Sequence, residues 1–540
     1  MDSRAEHAVV LTAFLKENNR EKIIPLIEQL DAGCSEMETF FAEYDYDKVT
    51  LANGFRSFVK VVNKGFQLMV DVTNQAGNGK PEYGLMDECV AALSTLVKSL
   101  QIARLVRQKG VPFDWTEITD LDCKAVLIAS MATEEDVRPF YSSIGPFWIE
   151  DDVRAQTDMH KRIVVSMTVP SLWEKMKVLM SDSYTSHVQV RNAVHMDVET
   201  LKNMANTNQF PTNFLIKLLG SPVGVRIISV EIETDNEWRI HTPDIRTHAT
   251  ISRGGRQRSK SISCLLIQPV NNRQANSLLM HSHGGGFVTA SPGNFYRRLS
   301  EWSNELGVTI LCPDYAKAPE HPYPSALQDI LDVYMFLTSE REQVRETIGF
   351  HPNRIILTGD SAGGNLSIGL MIALNTIRIK GGLVVMPKGV SLQYPCASAG
   401  PIATPASALS LIDTTLPPAM GELIVRCYSP MDPAPAPGWK KRADANDVLK
   451  VLNYRMKDPL FNILAYRHFE DLRDIPLRVL VSEFDPILDQ GIAITGQWKG
   501  SVAIHIARDL PHGFLFASYN CDSISRQVSA ICTGITDLLS

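Results

Sequence analysis

The chain is short of positive charge: 53 lysines and arginines stand against 60 aspartates and glutamates, for a net charge of −7. A nucleic-acid partner needs a basic face along its phosphates, so none is expected. Cysteine is also sparse, at nine in 540 residues. Cys34, Cys89, Cys123, Cys264, Cys312, Cys396, Cys427, Cys521 and Cys532 form neither a disulfide framework nor a paired C-x-x-C zinc pattern. No continuous run of about 18 apolar residues occurs, so no transmembrane segment is expected. The opening Met1-Asp2-Ser3-Arg4-Ala5-Glu6-His7 lacks the basic region and apolar stretch of a secretory leader. These absences lead to the expectation of a reduced, cytoplasmic protein with no metal and no cofactor.

What is present is globular material. Hydrophobic residues make up 44% and charged residues 21%, far from the composition of disorder. A chain of 540 residues exceeds one ordinary core, and two units are expected. From Glu6 to about Leu219 apolar residues recur at spacings of three and four, as in Leu26 and Leu30 or Val90, Leu93, Leu96, Val97 and Leu100. Residues 1–250 therefore read as a mainly helical N-terminal domain, although the alternating segment Ile227–Glu233 already looks like the first strand of a new unit.

Residues 251–540 alternate short β-branched runs with helical stretches: Ile262–Ile267, Ser277–Met280, Val308–Cys312, Arg354–Thr358, Gly389–Gln393, Leu477–Ser482 and Val502–Ile506. This alternation predicts an α/β unit with a mostly parallel eight-stranded sheet and helices on both faces. Two stretches interrupt it. Arg253–Ser261 is basic and glycine-containing, and reads as a surface loop in which Ser259 or Ser261 could be phosphorylated. Pro430–Asp447 is proline-rich and lies within an insert at about 398–455.

The chemistry is carried by four ordered segments. The strand Arg354–Thr358 runs into Gly359-Asp360-Ser361-Ala362-Gly363 and then a helix-like stretch, the context in which G-x-S-x-G forms a nucleophile elbow with Ser361 at its tip. Upstream, His283-Gly284-Gly285-Gly286 follows an apolar strand. Glycine there lets backbone amides approach a developing oxyanion, so Gly285 and Gly286 are assigned to the oxyanion hole with Ala362, and Gly284 to shaping the turn. His283 reads as a residue that holds this loop by hydrogen bonding. Downstream, Glu483, Asp485 and Asp489 all cluster at the end of strand Leu477–Ser482; Asp485, stiffened by Pro486, is preferred as the acid, and Asp489 as a helix-start contact. Of the histidines after Asp485, His505 is committed to a strand face, which leaves His512 as the base.

With these segments quoted, a resemblance follows. His283–Val288, Asp314-Tyr315-Ala316-Lys317-Ala318-Pro319-Glu320, Gly359–Leu366, Asp485-Pro486-Ile487-Leu488-Asp489 and Pro511-His512-Gly513-Phe514 resemble the hormone-sensitive lipase family of α/β-hydrolases, and Asn53-Gly54-Phe55-Arg56-Ser57-Phe58-Val59-Lys60 resembles its N-terminal domain. The resemblance implies an α/β-hydrolase fold, a Ser361, Asp485 and His512 triad, and a neutral lipase or carboxylesterase acting on diacylglycerol, cholesteryl or retinyl esters at the lipid-droplet surface. It also implies that the helical half supplies a face for a homodimer. The sequence departs from the vertebrate pattern between Ser361 and Asp485, where a long phosphorylated module is replaced by the short insert. Within it Leu409–Pro418 is either part of a lid over the acyl pocket or a packed connector. Two other readings of the hydrolase half stay open: an esterase or deacetylase acting on small soluble esters or amides, and a non-catalytic ligand receptor of the same fold, against which His512 speaks.

Overall fold

A computed structural model of the chain describes residues 3–17, 20–76, 83–110, 114–141, 182–197, 224–242, 248–254, 260–429, 452–516 and 521–540, with isolated positions between 171 and 200. Its N-terminal part is helical, with α1 (Ser3–Glu17), α2 (Ile24–Phe41), α3 (Gly54–Ala76), α4 (Tyr83–Lys109), α5 (Asp120–Ser130) and α6 (Glu134–Tyr141) among its elements. The apolar spacing is what makes these helices pack: Ile27, Leu30, Cys34, Met37 and Phe41 form one buried stripe, and Leu93, Leu96, Val97 and Leu100 another. One described helical stretch, Leu85–Lys109, is by length and composition apolar enough to cross a membrane, but 61% of its apolar window is buried inside the protein.

The C-terminal part is built on an eight-stranded sheet in the order β1-β4-β6-β5-β7-β8-β9-β10. Its strands are β1 (Val225–Thr234), β4 (Lys260–Pro269), β5 (Ser277–Ser282), β6 (Thr309–Pro313), β7 (Arg354–Asp360), β8 (Gly389–Gln393), β9 (Leu477–Phe484) and β10 (Val502–Pro511). The β1–β4 and β4–β6 pairs are antiparallel and all later ones parallel. Each expected strand lies inside one of these except Val308–Cys312, which starts one residue ahead of β6. The first strand sits before residue 250, so the sheet starts upstream of the expected join. A hairpin of β2 (Trp238–His241) and β3 (Thr250–Arg253) was not expected. The segment 253–261, read as a loop, begins in β3 and ends in β4, where the Ser261 hydroxyl donates to Glu231 at 2.6 Å. Ser259 and residues 430–451 lie outside the described residues.

Helices cover both faces of the sheet, and the central strands are fully buried, as parallel strands sandwiched by helices must be. Several polar ties join the helical part to the sheet-containing part, among them the following. The Gly54 amide donates to Asp489, Lys60 bridges Glu483 and Asp509, and buried Asp122 accepts from both Lys109 and the Ala403 amide. Residues 53–60, singled out in the sequence, are thus the segment that meets the carboxyl end of β9.

Candidate active site

Strand β7 ends at Asp360, and the chain turns through Ser361 into helix α11 (Ala362–Ile379), which follows α7 (Asp182–Val194), α8 (Pro292–Leu306), α9 (Ser325–Leu337) and α10 (Glu342–Ile348) in chain order. Ser361 has φ 51° and ψ −120°, a conformation that costs a non-glycine residue about 1–3 kcal/mol and persists only where the surroundings enforce it. Here they do. The Ser361 amide donates to the Gln393 carbonyl at 3.0 Å, and its carbonyl accepts from Cys396 at 2.9 Å and Gly364 at 3.0 Å. The second glycine of the pentapeptide is required by close approach, since a Cβ on Gly363 would stand 1.8 Å from the Ser282 carbonyl oxygen of β5.

The three sequence-assigned side chains meet. Ser361 Oγ lies 2.9 Å from His512 Nε2, and His512 Nδ1 lies 2.7 Å from Asp485 Oδ2. Asp485 follows β9 and His512 follows β10, which pair in parallel, so their loops emerge side by side at the carboxyl edge of the sheet. Asp485 Oδ1 accepts from the Ile487 amide at 2.8 Å, which leaves Oδ2 aimed at the ring. Burial alone would depress the His512 imidazolium; the charge and hydrogen bond of Asp485, with Asp413 and Asp360 adding to them, outweigh it and raise its pKa above the ordinary histidine value.

The alternatives separate cleanly. His505 bonds Gln527 at 2.7 Å, away from the serine. Glu483 accepts from Lys60, Arg508 and the Asp509 amide. Asp489 accepts from the Gly54 and Ala406 amides at 2.8 and 2.6 Å, an interdomain contact in its helix's first turn. Of Glu483, Asp485 and Asp489 at the carboxyl end of β9, Asp485 alone reaches the imidazole.

In the glycine loop, Gly285 and Gly286 take φ values of 115° and 62°. Among the described residues, no hydrogen bond runs from their amides or from that of Ala362 to a protein acceptor. The Gly284 amide is committed, donating to Asp360 Oδ1 at 2.8 Å. His283 holds the loop as expected: its ring contacts the Gly284 carbonyl at 2.7 Å and stacks on Tyr315 at 4.3 Å, while the Tyr315 hydroxyl donates to the His283 carbonyl. Burial, followed by the Lys317 charge, pushes its pKa well down, which makes it a poor proton acceptor.

Four residues at the site were not found in the sequence. Asp360, at the first free position of G-x-S-x-G, anchors the glycine loop through the Gly284 amide. Ile424, on α12 (Pro418–Tyr428), fills the space a Cβ on Gly286 would need, with Cδ1 2.4 Å from that point. Tyr428 at the end of α12 stacks on Phe287 with ring centroids 3.8 Å apart. The cover over the glycine loop is therefore α12, whereas Leu409, Leu411, Ile412 and Asp413, in the segment weighed as lid or connector, are buried and packed. The fourth is Asp413, whose Oδ2 accepts from the His512 amide at 3.1 Å. Asp413-Thr414-Thr415 carries the signal of an Asx turn, but nothing local points to a partner 99 positions away.

Comparison with known proteins agrees with this layout. Residues 279–516 match a family described as alpha/beta hydrolase fold, and residues 15–141 match one described as hormone-sensitive lipase (HSL) N-terminus. The hormone-sensitive lipase of Homo sapiens is 32% identical over 210 residues, 38% of this chain and 18% of the human protein; that of Mus musculus is 35% identical over 162 residues, 30% of this chain and 20% of the mouse protein. The aligned stretch is thus about a fifth of those curated relatives. Among solved structures, carboxyl esterase 2 from the fungus Tuber melanosporum aligns with a TM-score of 0.46 at 17% identity, covering 59% of this chain and 88% of that one.

Proposed function

The chain belongs to the hormone-sensitive lipase family of α/β-hydrolases, and we propose that it is a lipase/esterase that hydrolyses carboxylic esters through an acyl-Ser361 intermediate. The observation that carries this reading is the continuous relay from Ser361 Oγ through the His512 ring to Asp485, at 2.9 and 2.7 Å. His512 Nε2 takes the Ser361 proton as Oγ attacks the ester carbonyl. Charge develops on the carbonyl oxygen and is met by the Gly285, Gly286 and Ala362 amides, each such donor contributing about 3 kcal/mol. The imidazolium, held by Asp485, returns the proton to the departing alcohol. A water molecule then repeats the sequence on the acyl-enzyme and releases the acid, with His512 again as base.

The finer reading is a neutral lipase for diacylglycerol, cholesteryl or retinyl esters, cytoplasmic and recruited to lipid droplets. Support comes from the paired family matches, helical domain and hydrolase together, in a single chain. A hydrolysis panel of short p-nitrophenyl esters, diacylglycerol and cholesteryl oleate, run beside Ser361→Ala, tests it. Cleavage of the long-chain neutral lipids by the native chain and none by the variant is the expected result. Activity confined to short soluble esters would contradict the lipid assignment, and an active Ser361→Ala would contradict the acyl-serine route.

A further inference from the structure

Asp413 is a buried carboxylate beside the histidine to which the chemistry above gives no task. It is 4% exposed. Its Oδ1 accepts from the Thr415 and Leu416 amides at 2.6 and 2.7 Å, closing a tight turn, and its Oδ2 accepts from the His512 main-chain N–H at 3.1 Å. The Thr415 methyl occupies the space beside Gly513, so the two turns are packed one on the other. On the far side, the Asp413 carbonyl accepts from the Tyr141 hydroxyl at 3.3 Å, and Tyr141 ends helix α6 of the N-terminal part.

Resting on the serine-ester reading, we propose that Asp413 is a positioning residue of the reaction: its carboxylate clamps the main chain of His512 and places a second negative charge beside the imidazole that Asp485 holds, while Tyr141 ties this clamp to the helical domain.

Two physical effects follow from the geometry. The ring of His512 has to meet Ser361 Oγ within hydrogen-bond reach, and displacement by about 1 Å can cost on the order of a hundredfold in rate. Fixing the His512 amide removes that freedom at its source. The second effect is electrostatic. Each half-reaction passes through an imidazolium, and a carboxylate in a water-poor site stabilises that cation as it forms. The groups facing His512 are Asp485, Asp413 and Asp360, with the Tyr394 ring edge-on at 5.1 Å; those facing Asp413 are His512, Asp485 and Tyr141. Burial, opposed by the His512 charge and reinforced by Asp485, lifts the Asp413 carboxyl to about 6. Below that pH the clamp loses its charge while the imidazole is protonated as well, so both act in one direction.

The test is Asp413→Asn in the full chain. Asparagine keeps the shape but has no charge, and its single carbonyl oxygen cannot serve both the Thr415/Leu416 amides and the His512 amide. The first readout needs no turnover: the His512 ring, followed by NMR in the resting protein, should titrate at lower pH in the variant. On a p-nitrophenyl ester, kcat should fall about tenfold or more with KM within about twofold, and the acid limb of kcat/KM should move to lower pH. A residue that merely stabilises the fold would not move that limb. Tyr141→Phe should lower kcat severalfold at every pH with KM unchanged, and carries the test should Asp413→Asn fail to fold. Identical His512 titration in native and Asp413→Asn protein, or native kcat in Tyr141→Phe, overturns the proposal. Absence of esterase turnover in the native chain would instead sink the ester reading, and the NMR titration would still judge the clamp.

Discussion

The Gly54 amide donates a 2.8 Å hydrogen bond to Oδ1 of Asp489, joining the first residue of a long N-terminal helix to the helix that follows the candidate acid. Oδ2 of the same carboxylate accepts from Ala406 in the insert. One buried side chain thus holds three segments together, four positions from Asp485.

That seam has no slack. A Cβ at Gly54 would stand 2.0 Å from the Ala406 Cα, backbone that cannot swing aside. Gly54→Ala is expected to destabilise the fold by about 1–3 kcal/mol, the usual cost of overpacking, or by more. Asp489→Ala strands two buried amides and is expected to cost about 1–3 kcal/mol. Urea unfolding checks both, and native midpoints in both variants would refute the packing described.

The two lysine ties should differ sharply. Lys60 reaches Glu483 and Asp509 at 2.9 Å but keeps 35% of its side chain exposed, so Lys60→Ala is expected to cost no more than about 1 kcal/mol. Lys109 and Asp122 are 6% and 0% exposed. Removing that cation leaves an uncompensated buried charge, and Lys109→Ala is expected to cost about 3–5 kcal/mol. Equal effects of the two variants on the urea midpoint would contradict the difference in burial.

The pH dependence of turnover has a definite sign. His512 must be neutral to accept the serine proton, and its pKa is raised because the charge and hydrogen bond of Asp485 outweigh burial. Activity should therefore rise with pH, with the midpoint of the acid limb of kcat/KM above the ordinary histidine value of about 6.5. Asp485→Asn should move that limb down and cut kcat by on the order of 10⁴. A limb below about 6 in the native protein would contradict the ion-pair geometry.

The two glycines proposed for the oxyanion hole separate by what opposes a methyl group. At Gly285 it would meet the Thr289 carbonyl oxygen at 2.2 Å, fixed backbone, whereas at Gly286 it meets the Ile424 Cδ1, the tip of a side chain. Gly285→Ala should abolish turnover irrecoverably. Gly286→Ala should lose about a hundredfold or more in kcat, and adding Ile424→Ala should restore part of it. Steady-state kinetics on a short p-nitrophenyl ester decides; no recovery in the double variant would mean that Ile424 does not lie over the loop.

Much of this was legible in the sequence, for reasons that differ by element. The sheet strands were readable because buried parallel strands are continuous β-branched runs, and Ser361, His512 and Asp485 because an elbow, a late histidine loop and a strand-end carboxylate each leave a local mark. Three carboxylates cluster at the end of β9, among which Pro486 favours Asp485, and the contacts agree: Glu483 turns to Lys60 and Asp489 to Gly54, leaving Asp485 to the ring. The β2–β3 hairpin was missed because its four-residue strands are too short for alternation to register. Asp413 and Ile424 were missed because their roles consist of contacts to His512 and Gly286, distant in sequence. Asp360 was hidden in a position that the motif leaves free, although its bond to Gly284 ties the two motifs together.

The most direct measurement is the site of acylation. A p-nitrophenyl ester is mixed with the full chain, the reaction is quenched within a turnover, and the protein is digested for mass spectrometry. The expected result is an acyl adduct on the peptide carrying Ser361, formed with a stoichiometric burst of p-nitrophenol and absent in Ser361→Ala. An adduct on another residue, or undiminished hydrolysis by Ser361→Ala, would contradict the serine relay.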